Sequence, residues 1–156
     1  MRGQSLAWLF GLAILYWATA CSNKACPVDM AATTSLSVNG RELLVEIAAT
    51  PAERSCGLSF RENLPANHGM LFVYPDMRIR EFWMKDTRIP LDLAYLAGNG
   101  RIAEIHRMSP SDPEQRYRSG QSVAYALEVA GGWFEAHDVH VGDTVTIEIP
   151  ESLKIY

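Results

Sequence analysis

Two hairpin signals constrain the fold of this chain more than any other feature. Asn39-Gly40 separates two segments in which apolar residues alternate at period two, and Gly98-Asn99-Gly100 separates two more. Asn and Gly at these places favour the tight turn whose twist matches that of two paired strands. The spacing therefore predicts antiparallel strands connected by short turns in both halves of the chain.

The remaining elements are predicted to be short. Further extended segments lie at 70–74, 79–85, 123–129 and 145–149, and one turn of helix lies at 133–137. Thr50-Pro51-Ala52-Glu53 places a capping Thr before a Pro and a Glu, which predicts a helix over 51–56. Residues 109–122 contain two prolines and no aliphatic side chain, which predicts a long exposed loop.

The pattern of elements predicts the fold class. None of the connections holds the long helical crossover that a parallel sheet requires. With 48% hydrophobic and 21% charged residues, the composition is that of a packed globule and excludes wholesale disorder. We expect a mainly β domain, bordering on α+β, built as a single small antiparallel barrel or sandwich with about seven short strands and two short helices.

The N-terminal segment has the layout of a secretory signal. A single positive residue, Arg2, precedes an uncharged apolar run over 6–18, which is shorter than the roughly 20 residues a spanning helix needs. Ala18-Thr19-Ala20-Cys21 is similar to the bacterial lipobox, so residues 1–20 are predicted to be removed and Cys21 to be lipidated. The alternative is ordinary cleavage after Ala20, which leaves Cys21 free or disulfide-bonded.

The expected location is the periplasmic side of the cell envelope. Ser22 follows Cys21, and resemblance to enterobacterial lipoproteins then favours the outer membrane over the inner membrane. Residues 21–34 hold few large apolar side chains and are predicted to be a tether, which leaves 35–156 as the single folded domain. The lipid at Cys21 would make the membrane a partner of the protein.

Charge excludes one class of partner. The chain carries 14 basic and 18 acidic residues, a formal net charge of −4, and no block of Lys and Arg. Sequence-independent binding of nucleic acid depends on such a block, because it works by neutralising phosphates. We therefore predict no nucleic-acid partner.

The cysteines offer one candidate disulfide. If Cys21 carries lipid, Cys26 and Cys56 remain as an even pair in an oxidising compartment, where they are expected to join. The alternative is a buried Cys56 and a mobile Cys26.

Five segments stand out as a set: Arg54-x-x-Gly57-Leu58-x-x-Arg61, Gly69-Met70-Leu71-Phe72, Phe82-Trp83-Met84-Lys85-Asp86-Thr87-x-Ile89-Pro90-Leu91-Asp92, Ala126-Leu127-Glu128 and Gly142-Asp143. Over residues 38–149 the chain resembles the bacterial and archaeal family known as domain of unknown function 192. Ser59 stands where that family usually has Met, and Asp86 stands where Asn is usual. The resemblance implies a compact, mainly β single domain, often exported, without an established biochemical activity.

The central motif holds the best candidate for a functional surface. Alternation along an extended segment turns Phe82 and Met84 toward the core and Trp83 and Lys85 toward solvent. An exposed indole beside an ammonium could stack a sugar ring or hold a carboxylate. The competing interpretation is structural: Trp83 covers the end of the barrel, and Lys85 forms an ion pair with a carboxylate of Asp86, Asp92 or Glu128.

Those three carboxylates also allow a catalytic hypothesis. Asp86, Asp92 and Glu128 could supply the pair of acids that glycoside hydrolysis needs. Ion pairs with Arg54 or Arg61 would explain Asp92 and Glu128 without catalysis. We therefore predict a non-enzymatic binding role for a small molecule, a glycan or a partner protein, with a hydrolase or lyase of cell-envelope glycan as the alternative. The predicted binding residues are Trp83, Lys85, Asp86, Asp92, Glu128 and Arg61.

Metal and cofactor chemistry has little support in the sequence. The four histidines, His68, His106, His137 and His140, are dispersed and lack a familiar ligand spacing. The chain has neither a Gly-rich phosphate loop nor the elbow motif of a nucleophilic Ser. We predict no metal and no cofactor.

Overall fold

The computed structural model describes Cys26 and residues 32–156. The predicted signal segment 1–20, Cys21 and most of the tether lie outside the described residues. Within the described ranges, no helix combines the length and the apolar character needed to cross a membrane. The first strand begins at Thr33, just before the predicted domain boundary.

The described part of the chain forms nine strands and two short helices. In chain order they are β1 (Thr33–Val38), β2 (Arg41–Ala48), α1 (Pro51–Cys56), β3 (His68–Arg78), β4 (Glu81–Phe82), β5 (Leu91–Leu96), β6 (Ile102–Met108), β7 (Tyr117–Arg118), β8 (Val123–Ala130), α2 (Trp133–Ala136) and β9 (Val145–Ile147). The predicted mainly β class with two short helices is confirmed.

Seven strands form one curled sheet in the order β6-β5-β8-β3-β2-β1-β9, which resembles half a barrel. Strands β4 and β7 form a separate two-stranded ribbon. Neighbouring strands are antiparallel except for β2 and β3, which run parallel. Residues 49–67 supply the crossover for this one parallel pair, although the only helix in them is the six-residue α1.

Helix α1 begins as its sequence predicts. Thr50 accepts a hydrogen bond from the backbone N–H of Glu53 at 3.2 Å, and the Glu53 carboxylate accepts one from the Thr50 N–H at 2.8 Å. This reciprocal pair is a capping box, and it satisfies donors that the first turn of a helix leaves without partners. Gly57, with φ of 52°, ends the helix.

In the segment predicted as a strand over 79–85, fewer residues pair with a neighbouring strand than expected. Only Glu81 and Phe82 pair, and they pair with Arg118 and Tyr117 inside the predicted loop. A turn follows, in which the Thr87 N–H donates to the Met84 carbonyl at 3.0 Å. The alternation nevertheless holds through the segment, with Phe82 and Met84 buried and Trp83 and Lys85 exposed.

The sheet is covered on both faces, so it separates two apolar clusters. One contains Leu71, Leu127, Val129, Trp133 and Phe134. The other, which we call the Phe82 cluster, contains Met70, Phe72, Phe82, Met84, Leu93 and Tyr95. Successive side chains of a strand point to opposite faces of the sheet. Leu127 and Val129 belong to the first cluster, so Glu128, which lies between them in sequence, points to the face of the Phe82 cluster.

Candidate functional site

A cleft lies between the end of α1 and the segment that follows β4. Its volume is about 440 Å³, within the range of small-molecule sites. The residues that give it chemistry are Ser55, Ser59, Trp83, Lys85 and Asp86, and the Cys26–Cys56 disulfide forms part of its wall.

Backbone hydrogen bonds hold the two sides of this cleft together. The Phe60 N–H donates to the Asp86 carbonyl at 2.8 Å, and the Ser59 hydroxyl donates to the Lys85 carbonyl at 3.4 Å. Phe60 and Asp86 both have positive φ, 64° and 57°. Asp and Asn tolerate this left-handed conformation better than most residues. The turn therefore accepts Asp86 as readily as the Asn that is usual in the resembled family.

Trp83 is exposed at the edge of the cleft and is flanked by two cations. Its side chain is 42% exposed. The Arg116 guanidinium lies 3.7 Å from the centre of the indole ring, and the Lys85 ammonium lies 5.3 Å from it. Both distances allow cation–π attraction. The structure thus puts a planar apolar surface and two positive charges side by side.

Sequence reasoning missed Arg116. This residue lies in the predicted loop, and the pairing of β4 with β7 brings it against Trp83. A two-residue strand is too short to leave a periodic pattern, so the sequence held no signal for it.

Lys85 takes part in none of the ion pairs found within residues 32–156. The structural interpretation required an ion pair between Lys85 and Asp86, Asp92 or Glu128. That pair does not form, and the Lys85 side chain is exposed beside Trp83. Its charge is therefore available to a ligand.

Glu128 is the most unusual group near the cleft. Its side chain is buried, with 4% of the residue exposed, and it lines a cavity of about 40 Å³ together with Gly57, Ser59 and Phe72. Within the described part of the chain no hydrogen bond or ion pair reaches its carboxyl group. Burial alone raises the pKa of Glu128 to about 8. The group is therefore protonated at neutral pH and can donate a hydrogen bond.

The cavity adjoins the cleft. Ser55, Cys56, Ser59 and Trp83 line both spaces. Glu128 thus lies beneath the cleft, and Asp86 lines the cleft above it.

Asp92 is separated from Glu128 by the sheet. In the register of β5 and β8, Leu93 pairs with Glu128, whereas Asp92 pairs with Val129. Asp92 therefore points to the opposite face, where its carboxylate accepts hydrogen bonds from the Arg107 guanidinium and, at 2.9 Å, from the Gly132 N–H. The two carboxylates cannot act on one bond.

The arginines expected to neutralise these carboxylates bind elsewhere. Arg61 forms a two-pronged ion pair with Glu46 at 2.7 and 2.5 Å and does not line the cleft. Arg54 donates to three backbone carbonyls, those of Ala49, Val73 and Tyr156. Ion pairs with Arg54 or Arg61, the non-catalytic explanation for Asp92 and Glu128, therefore do not form.

The structure joins Cys26 to Cys56, with Cα atoms 5.9 Å apart. The separation is ordinary for a disulfide. The bond holds residue 26 against the end of α1, and so against the cleft. Within the described residues, no group of three or more His, Cys, Asp or Glu side chains is arranged to hold a metal ion.

Residues 34–147 match the model of DUF192, the domain of unknown function 192 family, described as "Uncharacterized ACR". The chain belongs to this family. Some residues of its DUF192 motifs lie together at the cleft: Gly57 and Glu128 line the cavity, and Trp83, Lys85 and Asp86 line the cleft itself. Ser59, which departs from the usual DUF192 pattern, lines both spaces and presents a hydroxyl where Met is usual.

Two solved structures are similar to this DUF192 chain. One is from Sinorhizobium meliloti 1021 and is described as a "putative transcription regulator"; it is 35% identical, has a TM-score of 0.70, and the match covers 74% of this chain and 93% of that one. The other is a protein of unknown function from Novosphingobium aromaticivorans DSM 12444, 28% identical with a TM-score of 0.68, covering 74% of this chain and 85% of that one. No curated protein matches the chain.

Proposed function

We propose that this protein is an exported envelope lipoprotein whose cleft binds a small acidic sugar of the uronic acid type, in a non-enzymatic role. The observation that carries the proposal is the exposed indole of Trp83 with two cations against it, at the edge of a cleft of about 440 Å³. The proposal combines the two ligand features that the motif suggests, a sugar ring and a carboxylate.

Several parts of the cleft match part of such a ligand, whereas the Asp86 carboxylate does not attract an acidic sugar. The Arg116 guanidinium covers one face of the Trp83 indole, so the apolar face of a sugar ring would pack against the other, which removes apolar area of both from water. Lys85, which forms no ion pair with the described residues, brings positive charge to the same edge, where a carboxylate would be attracted; Arg116 adds to it, although its Nε lies 4.0 Å from the Glu81 carboxylate. The Ser55 hydroxyl can donate and accept hydrogen bonds with the hydroxyls of a sugar, and the Ser59 hydroxyl, which donates to the Lys85 carbonyl, can accept one.

Nucleic acid is a poorer candidate for this chain, although the Sinorhizobium protein is described as a "putative transcription regulator". Basic residues number 14 against 18 acidic ones. Ion pairs also occupy many of the arginines, including Arg61, Arg78, Arg80 and Arg88. Few positive charges are left to release counterions from a phosphate backbone.

The hydrolase or lyase alternative is weakened by the position of Asp92. A glycosidase needs two carboxyl groups on either side of one bond. With Asp92 on the opposite face of the sheet, Asp86 and Glu128 are left near the cleft, but Glu128 lines a separate cavity of about 40 Å³ that is too small for a sugar ring, so the two do not flank one glycosidic bond. We therefore favour binding over catalysis.

The anchoring part of the proposal is tested at Cys21. Acylation of this residue would fix the protein to a membrane, so Cys21→Ser is expected to move it into the soluble periplasmic fraction. Cys26→Ser is a matched control that should leave the protein in the membrane fraction. An intact-mass measurement that finds no lipid on the wild-type protein would contradict the anchor.

The binding part is tested by titration calorimetry with D-glucuronate and, as a neutral control, D-glucose. Trp83→Ala and Lys85→Ala are each expected to weaken glucuronate binding by about tenfold or more, because one removes the stacking surface and the other a charge. Both side chains are exposed, so each variant should keep the free energy of unfolding within about 1 kcal/mol of wild type.

Leu44→Ala is the matched control for this series, because Leu44 is 44% exposed and lies outside the cleft. It should bind glucuronate as the wild type does. Equal binding of glucuronate by wild type, Trp83→Ala and Lys85→Ala would overturn the proposed site.

A further inference from the structure

We propose that the small cavity beneath the cleft is a subsite for a hydroxyl group of the ligand, which exchanges hydrogen bonds with the carboxyl group of Glu128. This inference rests on the proposed function and adds a second contact point to it. The ring and carboxylate of the sugar lie in the cleft, and one hydroxyl or hydroxymethyl group enters the cavity.

The first support is that Glu128 lacks a protein partner. The residue is 4% exposed and lines the cavity, and none of the hydrogen bonds or ion pairs of the described residues includes it. Buried polar side chains are nearly always hydrogen-bonded, to protein or to another molecule. The Glu128 oxygens are not among the fully enclosed side-chain atoms that lack a partner in the described residues, so they are open to the cavity, where a group of another molecule can bond to them.

The second support is size. The cavity holds about 40 Å³, whereas the cleft holds about 440 Å³. One water-sized group needs roughly 10–15 Å³ measured in the same way. The cavity therefore admits a hydroxyl or hydroxymethyl group and excludes a sugar ring, which stays in the cleft beside Trp83.

The third support is charge, which favours a hydroxyl group over an ammonium group or a metal ion. Arg54 lines the cavity, and Lys85 and Arg116 lie against Trp83 on the way in. These three cations oppose the entry of another cation. A protonated carboxyl group both donates and accepts, as a hydroxyl group does, so the two can form a reciprocal pair.

Among the titratable groups around the cavity, Glu128 is the one whose charge changes near neutral pH. The titratable and charged groups that face it are Arg54 from α1, Tyr74 from β3 and Tyr95 from β5. Burial raises the pKa of Tyr74 to about 12, and it raises the pKa of Tyr95 as well. Both tyrosines therefore stay neutral up to pH 9, and Arg54 stays charged.

The test is calorimetric titration of the full-length protein with D-glucuronate at pH 6 and pH 9. The wild type is expected to bind about tenfold more weakly at pH 9, because ionised Glu128 cannot donate to a hydroxyl and repels the anionic sugar. Glu128→Gln, which stays neutral and can donate and accept at both pH values, should show no such loss. Glu128→Met, of similar length but apolar, should bind about tenfold more weakly than the wild type at pH 6.

Two outcomes separate the inference from the proposed function. If the wild type, Glu128→Gln and Glu128→Met bind glucuronate equally at both pH values, while Trp83→Ala does not, the hydroxyl subsite is wrong and the cleft stands. If the wild type binds no glucuronate at either pH, the proposed function and the subsite both fall. Circular dichroism at each pH confirms that each variant is folded.

Discussion

Glu128→Gln is expected to abolish a loss of stability that the wild-type protein suffers between pH 4.5 and pH 8. Burial raises the pKa of Glu128 from an ordinary value of 4.5 to about 8. In that interval the folded chain keeps a proton that the unfolded chain releases. The folded state therefore binds more protons, and its stability falls as pH rises.

The size of this effect follows from proton linkage. Below pH 4.5 the carboxyl group is protonated in both states, and Glu128 contributes no pH dependence. Above pH 8 it is ionised in both states, and the full cost of burying the charge is present. At about 1.4 kcal/mol for each pH unit between these limits, the free energy of unfolding falls by about 3–5 kcal/mol because of Glu128 alone.

Chemical denaturation of wild type and Glu128→Gln at several pH values measures this difference. Between pH 4.5 and pH 8.5 the free energy of unfolding of Glu128→Gln should rise by about 3–5 kcal/mol relative to that of the wild type. Hydrogen bonds lower the pKa values of Asp76 and Asp143, so these carboxyl groups change charge at lower pH. Both are present in the wild type and in the variant, so they do not alter the difference between the two. Glu62→Gln, a change at a highly exposed carboxylate, should show no comparable movement.

A gap between wild type and Glu128→Gln that stays constant across pH would contradict the buried, unpartnered carboxyl group. It would mean that Glu128 is ionised in the folded state at the same pH as in the unfolded chain. The hydroxyl subsite would then lose its donor.

Phe82→Ala is expected to lower the free energy of unfolding by about 3–5 kcal/mol. Phe82 is 9% exposed and packs edge-on against two rings, with centroid distances of 4.8 Å to Phe72 and 5.9 Å to Tyr95. Its removal leaves a ring-sized void on the face of the sheet, against Phe72 and Tyr95, which a close-packed core fills poorly. Urea denaturation monitored by circular dichroism measures the change.

Trp83→Ala is the natural comparison, because Trp83 is the next residue and also carries a large ring. It is 42% exposed, so its removal should change the free energy of unfolding by about 1 kcal/mol or less. A larger loss for Trp83→Ala than for Phe82→Ala would show that the two side chains have exchanged roles. Trp83 would then be a core residue rather than an exposed binding residue at the edge of the cleft.

Local patterns predicted the parts of the fold that depend on neighbours in sequence. Asn39 and Gly40 both have positive φ, as the hairpin signal requires, and Val38 pairs with Arg41 across the turn. Alternation predicted which of Phe82, Trp83, Met84 and Lys85 are buried, although only one of the four lies within a paired strand. Alternation needs only an extended backbone, so it holds beyond the hydrogen-bonded residues.

The site itself depended on contacts that are distant in sequence. Arg116 reaches Trp83 through a two-residue ribbon, and Arg107, rather than Arg54 or Arg61, pairs with Asp92. The sequence alone does not distinguish among the arginines as partners for a given carboxylate. The order of the strands decides which arginine lies close to it. That order includes the parallel pair β2–β3, which the sequence did not indicate.

We propose that the cleft beside Trp83 binds an acidic sugar above the Glu128 cavity. The most direct measurement is a titration of the ¹⁵N-labelled protein with D-glucuronate, followed by two-dimensional NMR at pH 6. We predict saturable shifts of the Trp83 indole N–H and of the backbone N–H groups of Ser55, Ser59 and Lys85, with D-glucose giving weaker shifts. Shifts confined to residues outside the cleft, or no shifts at millimolar glucuronate, would contradict the account.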